Sequence, residues 1–200
     1  MFTGLVIDVG RLKSCSRDGG DTRMVIENHL DMNTVAIGAS ICCNGVCLTV
    51  VDKGANWFAA DVSDETLSVT ALTDWSEGTL INLERSLKLG DELGGHIVTG
   101  HVDGIGVIET FETVAGSVHM DIMVPASFGA LVAKKGSIAV DGVSLTVNEV
   151  TDRDDDTLVS INLVPHTREH TAFSVAETGN RVNLEFDILA RYVARLQARN

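Results

Sequence analysis

Residues 39–50 read Ala-Ser-Ile-Cys-Cys-Asn-Gly-Val-Cys-Leu-Thr-Val, and residues 136–147 read Gly-Ser-Ile-Ala-Val-Asp-Gly-Val-Ser-Leu-Thr-Val. At an offset of 97, seven of these twelve positions are identical. Each copy sets two short apolar runs around a dipeptide, Asn44-Gly45 or Asp141-Gly142. Such dipeptides supply the two successive positive-φ residues of a tight hairpin, so each stretch reads as a β-hairpin. A repeat at this spacing describes a duplicated unit of about one hundred residues, an ordinary domain size.

The echo extends outward in both directions. Phe2-Thr3-Gly4-Leu5-Val6 matches Val98-Thr99-Gly100-His101-Val102 at offset 96, and Gly78–Glu84 matches Gly179–Glu185 at offset 101. The later change in offset falls in the polar run Asp152–Asp156, where a turn tolerates insertion. Between these anchors, residues 2–13, 22–26, 39–51, 57–62 and 79–84 read as strands, with a turn at Arg17-Asp18-Gly19-Gly20 and a helical turn within 28–33. Ser63 is placed to cap a short helix. Pro125 to Lys135 reads as a helix closed by Gly136, and residues 88–97 as a linker. About six short strands per copy, with frequent turns, predict a mainly β protein: two tandem six-stranded, Greek-key-like barrels with short helices. The expected units are 1–97, 98–186 and a tail, 187–200. That tail is amphipathic, with Ile188, Leu189, Tyr192, Val193 and Leu196 on one face and Asp187 as cap.

Composition narrows the function. Hydrophobic residues make up 44% of the 200, enough for two modest cores. The net charge of −13 argues against nucleic-acid binding. No apolar run is long enough for a membrane helix, and the start of the chain does not resemble a secretory signal, which points to the cytoplasm. Gly104-Ile105-Gly106 leads into a strand-like run, a weak dinucleotide signal. Cys15, Cys42, Cys43 and Cys47 all fall in the first copy without a Cys-x-x-Cys pair, which argues against a disulfide framework. Cys43 and Cys47 with His29 fit no standard zinc spacing and read as ordinary thiols.

Met1-Phe2-Thr3-Gly4-Leu5-Val6, Asn44-Gly45-Val46-Cys47-Leu48-Thr49-Val50, Gly94-Gly95-His96, Gly100-His101-Val102-Asp103-Gly104 and Asp141-Gly142-Val143-Ser144-Leu145-Thr146-Val147 together resemble the riboflavin synthase family. The resemblance covers nearly the whole chain. It implies two lumazine-binding barrels and a trimerising tail helix. It also implies transfer of a four-carbon unit between two molecules of 6,7-dimethyl-8-ribityllumazine, without metal or redox cofactor, and it raises association with lumazine synthase. By resemblance, the first pocket takes Gly4, Leu5 and Val6, then Cys47, Leu48 and Thr49, then Asp61, Val62, Ser63, Asp64, Glu65 and Thr66. The second takes Gly100, His101 and Val102, then Lys135, then Ser144, Leu145 and Thr146, then Asn162, Leu163, Val164, Pro165, His166 and Thr167. Leu48, Leu145 and the valines also read strongly as core residues, and some are expected to contribute only backbone contacts. One departure stands out: Ser63–Thr70 lacks the basic residue that often follows Glu-Thr-Leu in the family.

A reaction between two copies of one substrate needs two related but unequal pockets. The repeats supply them, because Cys47 aligns with Ser144, Asn44 with Asp141, Leu5 with His101 and Glu65 with His166. His101, Cys47 and Ser40 are the catalytic candidates. Histidine titrates in the range a base at neutral pH requires. A thiol can add to an electron-poor ring carbon or hold a nucleophilic water. Ser40 is expected to hydrogen-bond Cys47, although its identical echo Ser137 gives it a structural reading too. Two rival classes remain: a non-catalytic lumazine protein and a flavin carrier.

Overall fold

In the computed structural model, which describes residues 1–17 and 20–198, each repeat folds into its own antiparallel sheet. Asp18 and Gly19 of the expected turn, and the last two residues of the tail, lie outside the described residues. The first repeat contributes β1 (Asp8–Arg17), β2 (Thr22–Glu27), β3 (Ser40–Cys43), β4 (Val46–Thr49), β5 (Asp52–Lys53), β6 (Trp57–Val62) and β7 (Leu80–Arg85). The second contributes β8 (Gly104–Val114), β9 (Ser117–Pro125), β10 (Ser137–Val140), β11 (Val143–Asp152), β12 (Asp156–Leu163) and β13 (Arg181–Phe186). A helix follows β6 and β12 at equivalent places, α1 (Asp64–Val69) and α2 (Pro165–Glu169), and α3 (Ile188–Gln197) ends the described fold.

The second sheet is a closed barrel in the order β10-β11-β12-β9-β8-β13. The first has the same neighbours in the order β4-β3-β7-β1-β2-β6-β5, a barrel-like sheet that, unlike the second, does not close into the expected barrel, one of its six strands being cut in two. The difference lies in one segment. β11 runs unbroken through a bulge between Val147 and Glu149, while its counterpart is cut into β4 and β5. The inserted residues at Asp152–Asp156 lengthen the β11–β12 hairpin and keep it in register. The shorter first copy turns at Gly54, and Lys53 Nζ instead donates to the Met32 carbonyl at 2.6 Å and to the Val35 carbonyl.

Period-two alternation puts one face of each strand inside. Thr22, Met24 and Ile26 of β2 point inward, as do Val118, Met120, Ile122 and Val124 of β9. Around them close two cores, one with Leu12, Ile41, Phe58 and Leu83, the other with Ile108, Ile138, Ile161 and Phe186. Each such side chain contributes about 1.5–3 kcal/mol through burial. The segment 125–135 is shorter and tighter than expected, a 3-10 helix at Ala126–Leu131. Within it Gly129 sits against the Thr157 side chain, where a Cβ would collide, and Phe128 packs on Phe186 at a centroid distance of 5.3 Å. Residues 2–7 do not belong to the first strand, which starts at Asp8.

The two sheets meet at their hairpin tips about a local twofold relation. Asn44 and Asp141 adopt φ of 43° and 46°, followed by Gly45 at 84° and Gly142 at 75°, as this turn requires. The glycines abut, and a Cβ on Gly142 would meet the Gly45 nitrogen at 2.7 Å. Two asparagines lace the contact reciprocally. Asn82 Nδ2 donates to the Asp141 carbonyl and its Oδ1 accepts from the Ala172 N–H; Asn183 does the same with the Asn44 carbonyl and the Ala71 N–H.

Candidate functional site

The segment ahead of each barrel crosses to the other barrel. Phe2 and Val98 form a bridge in the crossing, and Phe2, Val98, Cys42 and Ala139 pack there as a small third core. A buried glutamate pins each segment to its own repeat. Glu84 accepts from the Thr3 N–H, the Thr3 hydroxyl and the Gly4 N–H at 2.6–2.9 Å. Glu185 accepts from the Thr99 N–H and hydroxyl, the Gly100 N–H and the His101 N–H at 2.6–3.1 Å. Burial pushes the Glu84 carboxyl above its usual range, and the Thr3 and Gly4 donors pull it back.

Beyond the glutamates the segments change partners. The Ser144 N–H donates to the Gly4 carbonyl at 2.8 Å, and the Cys47 N–H donates to the Gly100 carbonyl at 2.9 Å. Val6 packs on the core of the second barrel and Val102 on that of the first. The grouping by copy is therefore not the grouping in space. Gly4, Leu5 and Val6 join Ser144, Leu145 and Thr146, while Gly100, His101 and Val102 join Cys47, Leu48 and Thr49. Both glycines are obligatory: each has φ near 80° (77° and 79°), and a Cβ would fall 2.6 Å from Ser144 Cβ or 2.5 Å from Cys47 Cβ.

Alternation then sorts the strand residues. Leu48, Val62, Leu145 and Leu163 point into the cores. Cys47 and Ser144 are half-buried on the outer face, and Thr49, Thr146 and Lys135 are exposed. His101 is exposed beside the Cys47 contact, so two catalytic candidates share one cradle. Ser40 sits elsewhere than expected. Register sets it across from Thr49, and Cys42, not Ser40, lies directly opposite Cys47. Cys43 faces the first core and His29 pairs with Asp8 at the surface, so neither joins Cys47. Burial raises the Cys42 and Cys43 thiols well above their usual value, which leaves both protonated and inert.

At the barrel edges, Ser63 caps α1 by accepting from the Thr66 N–H. Asp64 pairs with Arg17 at 2.7 Å and Asp61 with Arg23 at 3.6 Å, while Glu65 is exposed and Thr66 half-buried. In the second copy Asn162, Val164, Pro165 and His166 are exposed, Thr167 is half-buried, and the His166 ring stacks on His170. A cleft of about 660 Å³ lies elsewhere, lined by Asn44, Asp141, Arg11 and Arg181, and holds none of these residues. Sequence reasoning missed Glu84, Glu185 and His96 as site residues. Glu84 and Glu185 had a signal: a glutamate repeated at the same place in the last strand of both copies.

A duplicated barrel whose two outer-face cradles are completed by crossed chain segments is the architecture of a tandem small-molecule-binding protein. The lumazine binding domain family matches twice, over residues 3–86 and 99–187. The chain is 43% identical over 201 residues to a riboflavin synthase of Brucella abortus, with 98% of both chains covered. It is 40% identical over 195 residues to a riboflavin synthase of Bacillus subtilis, covering 98% of this chain and 89% of the other. The crystal structure of LumP complexed with riboflavin superposes with a TM-score of 0.83 at 26% identity, covering 93% of this chain and 99% of that one. The chain belongs to the riboflavin synthase family of lumazine-binding-domain proteins.

Proposed function

We propose that this chain converts two molecules of 6,7-dimethyl-8-ribityllumazine into riboflavin and 5-amino-6-(ribitylamino)uracil by moving a four-carbon unit from one to the other. The observation that carries the reading is the pair of related, unequal cradles. Each is built from a crossed Gly-x-Val segment and a hairpin strand; one holds Cys47 and His101, the other Ser144, Thr146 and Lys135. One heterocycle bound in two unequal settings is what separate donor and acceptor roles require. His101 takes the proton of the acidic ring methyl, and Cys47 lines the ring beside it. Ser40, across from Thr49, forms part of the cradle wall. Asp61–Thr66 and Asn162–Thr167 face the ribityl chains at the barrel edges. Fixing two rings in register supplies much of the rate.

Assembly completes the reading. α3 half-buries Ile188, Ala190 and Ala194, and its Arg191 donates to Asp103 Oδ2 at 2.8 Å. Leu189, Tyr192, Val193 and Leu196 point outward, 53–71% exposed. Three copies joined through this face bring a cradle of one chain to a cradle of the next. Four free thiols fit a reducing cytoplasm, and no helix among the described residues is long and apolar enough to cross a membrane. The pure chain, given the lumazine, is expected to produce riboflavin's longer-wavelength absorption. A bound, bright and unconverted lumazine would instead mark a carrier of the LumP kind. The higher identity to the two synthases, 43% and 40% against 26% to LumP, favours turnover.

A further inference from the structure

Ser144 has a partner that Cys47 lacks an equivalent of in the repeat. His96, from the linker, is only 9% exposed, and its Nδ1 lies 2.7 Å from Ser144 Oγ. Its Nε2 is fully enclosed and has no partner among the described residues. Ser144 is held tightly from the other sides. Its N–H donates to the Gly4 carbonyl, and a Cβ on Gly95 would fall 2.8 Å from Ser144 Cβ.

The enclosed nitrogen decides where the imidazole proton sits. A hydrogen on Nε2 would be a buried donor with no acceptor, the rarest and most costly kind of orphan. A bare lone pair there costs less. Burial also holds the imidazolium below its ordinary pKa, against the upward pull of Asp187 and Glu185. The proton therefore sits on Nδ1 and is donated to Ser144 Oγ. A hydroxyl cannot donate back to a nitrogen that is donating to it, so Ser144 turns its own hydrogen elsewhere and keeps one lone pair spare.

We infer that His96 is a positioning residue that makes Ser144 a dedicated hydrogen-bond donor to an acceptor atom of the bound heterocycle, a ring carbonyl oxygen or an unprotonated ring nitrogen. The inference rests on the ligand reading above and deepens it by assigning a polarity to the second cradle. The first cradle, with the weakly hydrogen-bonding thiol of Cys47, holds the same ring without that demand.

Two measurements test it on the full chain. Nitrogen-15 shifts of the His96 ring, assigned by their loss in His96→Asn, are expected to show protonated Nδ1 and bare Nε2. The opposite tautomer, or a charged ring at neutral pH, overturns the inference. Riboflavin affinity and lumazine turnover are then read in a mutant cycle. His96→Ala is expected to weaken riboflavin binding about tenfold, the loss of one oriented hydrogen bond, with a matching rise in KM. In a Ser144→Ala background the same change should cost less than about twofold. His96→Asn, whose amide N–H can replace Nδ1–H, should recover most of the affinity. Equal losses in both backgrounds, or no rescue by a folded His96→Asn chain, would mean that His96 acts by packing alone. If the parent chain binds neither riboflavin nor the lumazine, the functional reading fails along with the ligand half of the inference. A wrong tautomer overturns the inference alone.

Discussion

Asp141 carries a carboxyl where its counterpart Asn44 carries an amide, in turns of the same shape. Both side-chain oxygens accept the same bond, from the Asn183 N–H at 2.8 Å and the Asn82 N–H at 2.6 Å. Burial drives the Asp141 pKa from 3.8 to about 7, only partly offset by that bond. A carboxyl raised on folding stabilises fully below its unfolded value, and the contribution is lost as pH rises through the folded one. The fold should therefore weaken between about pH 4 and 7, by up to about 4 kcal/mol. Asp141→Asn should abolish most of that dependence, so urea midpoints of variant and parent should diverge from pH 5 to pH 8, the variant being more stable. Gly100 makes the second prediction. Alanine there combines a φ of 79° with a Cβ 2.5 Å from Cys47. Gly100→Ala should cost about 2 kcal/mol or more and weaken riboflavin binding in the same preparation.

Among the elements, α3 turns four large apolar side chains outward, Leu189, Tyr192, Val193 and Leu196. Leu196→Glu with Tyr192→Glu should turn the proposed trimer into monomers in sedimentation; a parent chain that sediments as a monomer would overturn the trimer. Thermal unfolding of the variant monomers should resemble that of the separated subunit, since both positions are 65–67% exposed. The helix itself was legible in the sequence. Asp187 caps it through the Leu189 N–H, and the face from Ile188 to Leu196 is written at helical spacing. The hairpins were legible because their turns need two positive-φ residues, and Asn-Gly and Asp-Gly supply them. β6 was read to its exact ends from Trp57 to Val62. Three features were not legible. The break between β4 and β5 depends on the length of a neighbouring turn. The 3-10 segment Ala126–Leu131 sets Gly129 against Thr157, a contact from a distant strand. The exchange of Gly4–Val6 and Gly100–Val102 between hairpins is hidden because the related repeats offer each segment two docking strands of similar pattern. Aligning the copies pairs each segment with its own.

For the molecule as a whole, the exchange and the asparagine lacing tie the two barrels into one unit. Asn82→Ala strips the Ala172 N–H and the Asp141 carbonyl of their partner; Asn183→Ala does the same to Ala71 and Asn44. Each should cost about 1–3 kcal/mol, and the two costs should be similar. Chemical unfolding of either variant, followed by Trp57 and Trp75 in the first barrel and Tyr192 beside the second, should still show coincident transitions. Separate transitions would mean that the barrels unfold independently.

The crossed segments also impose an order on birth. A ribosome releases the first hairpin well before Gly100 and Val102, so the Cys47 N–H and the core slot for Val102 wait unfilled on the nascent chain. The first barrel matures only after the opening residues of the second have emerged, while Val6 must wait longer still for its own dock. Stalled nascent chains ending within the linker should be cut readily by protease near β4. Chains long enough to expose Val102 should resist, although most of the second barrel is still missing.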